Sequence, residues 1–266
     1  MRTIRHATDL ITMQHFFNIA GPSEARKHYL IDPLQRINVR QIETLIAQEY
    51  YFVLHAPRQT GKTSCLLALM AHLHAQGRYQ TLYANIEAAQ TAREDVRRGM
   101  SAVTNALALA AQVYLQSTFL TDWLRSEGKQ YDAESLLTAL LQAWAVAADQ
   151  PVVLLLDEVD TLVGDTLISL LRQIRAGYAQ RPQAFPICVI LCGVRDVRDY
   201  RMKSAGQEVI TGGSAFNIKA TSLRLGNFSA DEVHTLWQQH TTQTGQVFNK
   251  EIFSNCGKIH AVSPGW

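Results

Sequence analysis

The residues of this chain best suited to hold an anion are Ala56, Pro57, Arg58, Gln59, Thr60, Gly61, Lys62, Thr63 and Ser64. They follow directly on the apolar run Tyr51-Phe52-Val53-Leu54-His55, so the segment reads as a strand, a tight loop and a helix start. In that geometry the loop's backbone N–H groups and the positive end of the helix dipole meet at one point, which suits a phosphate. Lys62 would reach the β- and γ-phosphates of a nucleotide, and the Thr63 hydroxyl would ligate Mg²⁺. Ala56 stands where this Walker A pattern usually has its first glycine. The competing reading is a chance Gly-Lys-Thr in front of an ordinary helix.

A second segment weighs against chance. Pro151-Val152-Val153-Leu154-Leu155-Leu156 is a continuous apolar run that ends in Asp157-Glu158-Val159-Asp160. Such a run is expected of a central strand in a parallel sheet covered on both faces. Asp157, at the strand's carboxyl end, suits the hydration shell of Mg²⁺, the Walker B role. Glu158 is placed to polarise a water for in-line attack on the γ-phosphate. Alone, the four residues would pass for a solvated acidic turn. Together with the upstream loop they predict binding of ATP or GTP.

Both motifs need a sheet to bring them together. Strands are expected at 51–55, 81–86, 151–156, 186–193 and 222–225. Helices are expected at about 39–48, 62–75, 89–115, 133–148 and from Asp165 to about Tyr178. Alternating strands and helices make an α/β fold, a doubly wound five-stranded parallel sheet with the nucleotide at the carboxyl ends of its strands. Ser229-Ala230-Asp231-Glu232 has the spacing of a capping box, so another helix begins at Ala230. A further helix is expected near 250–256. The division is a leader at 1–38, a nucleotide-binding core at 39–226 and a partial helical lid at 227–266. The Pro186–Gly193 strand carries Arg195, Arg198 and Arg201 to the same edge as the two motifs. Arg198 and Arg201 read as partners of Asp196 and Asp199 in a solvated turn, and Arg195 as a sensor of γ-phosphate charge.

Composition narrows the function classes. Of 266 residues, 47% are hydrophobic and 18% charged, as in a globular protein. A net charge of +2 sets up no field that would compel binding to nucleic acid or an anionic membrane. The four cysteines form no Cys-x-x-Cys pair, and reduced buried thiols in a cytoplasmic protein are expected. No apolar stretch approaches the roughly 18 residues that span a bilayer. His72 and His74, two apart on a helix, cannot share a metal.

Arg58 to Ser64, Leu154 to Asp160, and Gly193-Val194-Arg195-Asp196 resemble the AAA-like branch of P-loop ATPases. More narrowly, they are similar to bacterial relatives of the STAND signal-transduction ATPases. His28-Tyr29-Leu30-Ile31-Asp32-Pro33-Leu34-Gln35-Arg36 is similar to that family's opening segment. The resemblance implies that Tyr29 and Arg36 flank the nucleotide base and that the sheet order is 5-1-4-3-2. It also implies Glu158 as catalytic base and Arg195 as the strand-four sensor. ATP and Mg²⁺ are the cofactors implied, since no Asn-Lys-x-Asp guanine motif occurs. The family's Gly-x-Pro lid motif has only Val262-Ser263-Pro264 as a counterpart. A truncated lid is therefore expected, with the effector or a protein partner elsewhere. A slow switch, a nucleotide-gated scaffold without hydrolysis, and a DNA-associated ATPase using the Arg195–Lys203 turn all fit this sequence.

Overall fold

The apolar runs pair as one sheet. A computed structural model describes residues 14–19, 21–196, 201–203, 209–211 and 219–247. Five strands, β1 (Tyr51–His55), β2 (Gln80–Asn85), β3 (Val152–Asp157), β4 (Cys188–Gly193) and β7 (Lys219–Arg224), lie in the order β2-β3-β4-β1-β7. Every neighbouring pair is parallel. This is the order 5-1-4-3-2 that the resemblance implied, with β7 as the fifth strand. All six residues of β3 and all six of β4 are buried, because helices cover both faces.

Side chains alternate between those faces along each strand. Val152, Leu154 and Leu156 pack with Val189, Leu191, Leu82 and Ala84 under α3 (Val96–Tyr114), α5 (Leu136–Ala147) and α6 (Gly164–Ala176). Val153 and Leu155 pack with Ile190, Phe52 and Tyr83 under α1 (Val39–Ala47) and α2 (Lys62–Gln76). The sheet is thus doubly wound, with the loop-bearing helix α2 on the second face. Gly61 at φ 85° caps the start of α2, and Gly77 at φ 65° ends it. Both are left-handed conformations that suit glycine.

Three expectations need correction. The helix expected at 89–115 begins only at Val96, because Asp95 caps it by accepting from the Arg98 N–H at 3.0 Å. Glu87–Ala92 before it is a 3-10 turn, and Arg93 has φ 53°. A short helix, α4 (Phe119–Ser126), was not foreseen. Nor was the antiparallel pair β5 (Arg201–Lys203) and β6 (Val209–Thr211), whose strands are too short for a period to show.

Contacts divide the chain into two units, Pro33–Gly226 and a smaller one of Met1–Asp32 with Asn227–Trp266. In the smaller unit, helix α7 (Ala230–Thr244) starts with the expected capping box. Glu232 N–H donates to Ser229 Oγ at 3.1 Å, and Ser229 N–H donates to Glu232 Oε2 at 2.6 Å. Gln239 on this helix grips the Leu30 backbone from both sides, accepting from its N–H at 3.1 Å and donating to its carbonyl at 2.9 Å. The helix expected near 250–256, the Gly212-Gly213 loop, Arg198 and the 262–264 motif lie outside the described residues.

Candidate phosphate and metal site

Parallel strands end on one edge, and the pairing register sets what stands there. Asn85 is level with Asp157, and His55 is level with both Gly193 and Arg224. Asp157 continues the Val153–Leu155 face, so it looks toward α2 rather than α6. Thr63 in the first turn of α2 donates its hydroxyl to Asp157 Oδ2 at 2.8 Å. Residues 94 positions apart are thereby brought into contact. Asp157 is fully buried and also accepts from the Tyr83 hydroxyl at 3.1 Å and the Glu158 N–H at 3.0 Å. Both oxygens of this buried carboxyl group thus have hydrogen-bond donors.

Lys62 is only 6% exposed, yet its ammonium donates to two neutral carbonyls, of Ala56 and Pro57, each at 3.2 Å. The loop is shaped by its own bonds. Thr60 Oγ1 donates to the Pro57 carbonyl at 2.8 Å, and Ala56 N–H donates to the Gly193 carbonyl at 3.1 Å. Gln59 and Gly61 take φ 60° and 85°. Arg36 braces the loop from outside, donating to the Thr60 carbonyl and, at 2.8 Å, to the Gly226 carbonyl. Arg58 and Gln59 are exposed, and Ser64 lies in the first turn of α2.

Glu158 has φ 61° and ψ 36°. The chain therefore turns between Asp157 and Glu158, and the strand's alternation no longer forces them to opposite faces. Burial pushes the Glu158 carboxyl above its ordinary value, and the charges of Asp157 and Asp160 add to the shift. Asp160 Oδ1 accepts from the Val194 N–H at 3.0 Å. A Cβ on Gly193 would lie 2.5 Å from that same oxygen, so this close approach requires glycine. Arg195 is exposed, while its neighbour Asp196 is buried and accepts from the Ser222 hydroxyl at 2.5 Å. Tyr29 belongs to the smaller unit, where its hydroxyl donates to Gln243 Oε1 at 2.6 Å.

At this edge Tyr83 carries no motif of its own, and Asp160, the last residue of the Leu154–Asp160 motif, had no role assigned from sequence. The period of two along β2, counted back from Asn85, is the signal that could have found Tyr83.

The groups present fit a nucleotide phosphate and Mg²⁺. The N–H groups of Gly61, Lys62 and Thr63 meet no protein acceptor among the described residues, as at any helix start before an anion arrives. The Thr63 hydroxyl and the Asp157 carboxylate are hard oxygen donors of the kind that Mg²⁺ takes alongside its waters. A family model described as AAA domain matches residues 46–200, more than half of the chain. The chain belongs to the AAA domain family. An AAA domain of this kind is a P-loop ATPase domain, and the solved structures agree in fold. A Walker-type ATPase of Pyrococcus abyssi matches with a TM-score of 0.58 at 11% identity, over 91% of this chain and 66% of that one. Cdc6p from Pyrobaculum aerophilum matches with a TM-score of 0.51 at 17% identity, over 80% of this chain and 50% of that one. This AAA chain thus spans half to two thirds of the length of those two proteins. No curated protein matches the sequence.

Proposed function

We propose that this AAA domain binds ATP with Mg²⁺ and hydrolyses it slowly to ADP and phosphate, as a nucleotide-driven switch. One observation carries the reading: the Thr63 hydroxyl meets the buried Asp157 carboxylate at 2.8 Å, beside the buried Lys62 ammonium. Lys62 and the N–H groups at the start of α2 would bind the β- and γ-phosphates. Thr63 and Asp157 would hold Mg²⁺, which when bound offsets negative charge on the phosphoryl oxygens. Glu158 would orient the attacking water and take its proton, a role that its raised pKa favours. Arg195, at the end of β4, would contribute charge toward the γ-phosphate. The choice of ATP, the switch role, and Tyr29 and Arg36 as base-flanking residues rest on the resemblance to STAND ATPases. A switch needs a long-lived ATP state, hence the slow turnover.

Calorimetry and phosphate release on two variants test this reading. Lys62→Ala should lose most Mg-ATP affinity. Glu158→Gln should bind ATP as the parent does while releasing phosphate about 10²–10⁴-fold more slowly. Unchanged affinity in the first variant would overturn the phosphate-loop assignment. A parental rate in the second would overturn Glu158 as base, and a parent that binds without turnover would be a nucleotide-gated scaffold.

A further inference from the structure

Tyr83 lies on β2, outside the phosphate-loop segment, yet it reaches the metal end of the site. Its hydroxyl donates to Asp157 Oδ2 at 3.1 Å, the oxygen that also accepts from Thr63 at 2.8 Å. The other oxygen, Oδ1, accepts the Glu158 N–H at 3.0 Å. Tyr83 is 5% exposed, and its ring meets that of Tyr114 edge-on with centroids 5.9 Å apart. A tyrosine hydroxyl ordinarily carries its proton near neutral pH, and a carboxylate oxygen has none to give. The bond therefore always runs from Tyr83 to the carboxylate.

A carboxylate can rotate about its last bond, and each orientation presents different lone pairs. The Glu158 N–H holds only Oδ1, and the Thr63 hydroxyl on Oδ2 is itself a metal ligand under the proposed function. Tyr83 is buried and comes from β2, so it adds to Oδ2 a donor that belongs neither to the loop nor to the metal's ligands. We propose that Tyr83 is a positioning residue for the divalent cation, holding Asp157 in the orientation that serves hydrated Mg²⁺. This rests on the Mg-ATP reading above. Partners one step removed from a metal typically account for about 10–100-fold of its affinity.

The test is nucleotide affinity measured by calorimetry with excess Mg²⁺ and again in a chelator, on the full chain. The parent should bind Mg-ATP more tightly than metal-free ATP. Tyr83→Phe keeps the ring and its packing but removes the donor. It should need roughly 10–100-fold more Mg²⁺ for half-maximal enhancement, with metal-free affinity at the parental value. Tyr114→Phe alters the neighbouring ring without touching the carboxylate and should keep the parental Mg²⁺ dependence. A parental Mg²⁺ requirement in Tyr83→Phe overturns the proposal, as does an equal shift in Tyr114→Phe or an equal loss of metal-free affinity. A parent with no Mg²⁺ enhancement would instead overturn the underlying reading.

Discussion

Glu158 combines a left-handed backbone with a carboxyl pushed above its usual range, and both have a physical origin in its neighbours. A non-glycine residue at φ 61° costs about 1–3 kcal/mol, which persists only where the surroundings enforce it. Here the Asp157 carboxylate holds the Glu158 N–H, and the Thr161 hydroxyl holds its carbonyl at 2.7 Å. The turn frees Glu158 from the alternation that would otherwise aim it away from Asp157. Its raised pKa gives a signed expectation for activity. A base works only when ionised, so phosphate release should fall on the acid side at a pH above the ordinary glutamate range, and recover as pH rises. A pH–rate profile checks this. An acid limb at the ordinary carboxylate position, or the same limb persisting in Glu158→Gln, would show that another group titrates.

Helices α3 and α6 combine apolar packing with a close approach at a glycine. Gly99 on α3 sits so near α6 that a Cβ there would lie 2.2 Å from Thr166 Cγ2. Gly99→Ala should therefore destabilise the protein by about 1–3 kcal/mol through overpacking. Adding Thr166→Ser removes the obstructing methyl and should recover much of that loss. Denaturant titration of the single and double variants measures it, and a Gly99→Ala chain as stable as the parent would show that α3 can shift freely. The same helix shows how local signals compete. Glu94 and Asp95 both suit a helix start, and the structure begins α3 after the second, because Asp95 reaches the Arg98 N–H.

For the whole molecule the largest expected effect is ligand linkage. Mg-ATP at a hundred times its Kd should stabilise the fold by about 2.7 kcal/mol. For a unit the size of Pro33–Gly226, that corresponds to a rise in Tm of roughly 5–10 °C. Lys62→Ala should abolish the rise while keeping the unliganded Tm near that of the parent. A thermal melt in which the variant rises as much as the parent would remove Lys62 from the site. No helix among the described residues is long and apolar enough to cross a membrane.

The sheet and the loop that carries Lys62 could be read from residue order, because each is a short contiguous pattern. Strands buried on both faces must be apolar throughout, so β3 and β4 announce themselves as unbroken runs. Gly61-Lys62-Thr63 needs only a strand before it and a helix after it. The β5–β6 pair left no such trace, since three residues are too few to show a period. What the residue order leaves open is which distant segments lie side by side. Tyr83 meets Asp157 only because β2 flanks β3 in a particular register. Asp160 meets Val194 only because β4 lies on the other side of β3. Arg36 donates to Thr60 only because the turn Pro33–Arg36 packs against α2. Those neighbours follow from burying two faces of one sheet at once, a constraint on the folded chain that no single segment of it contains.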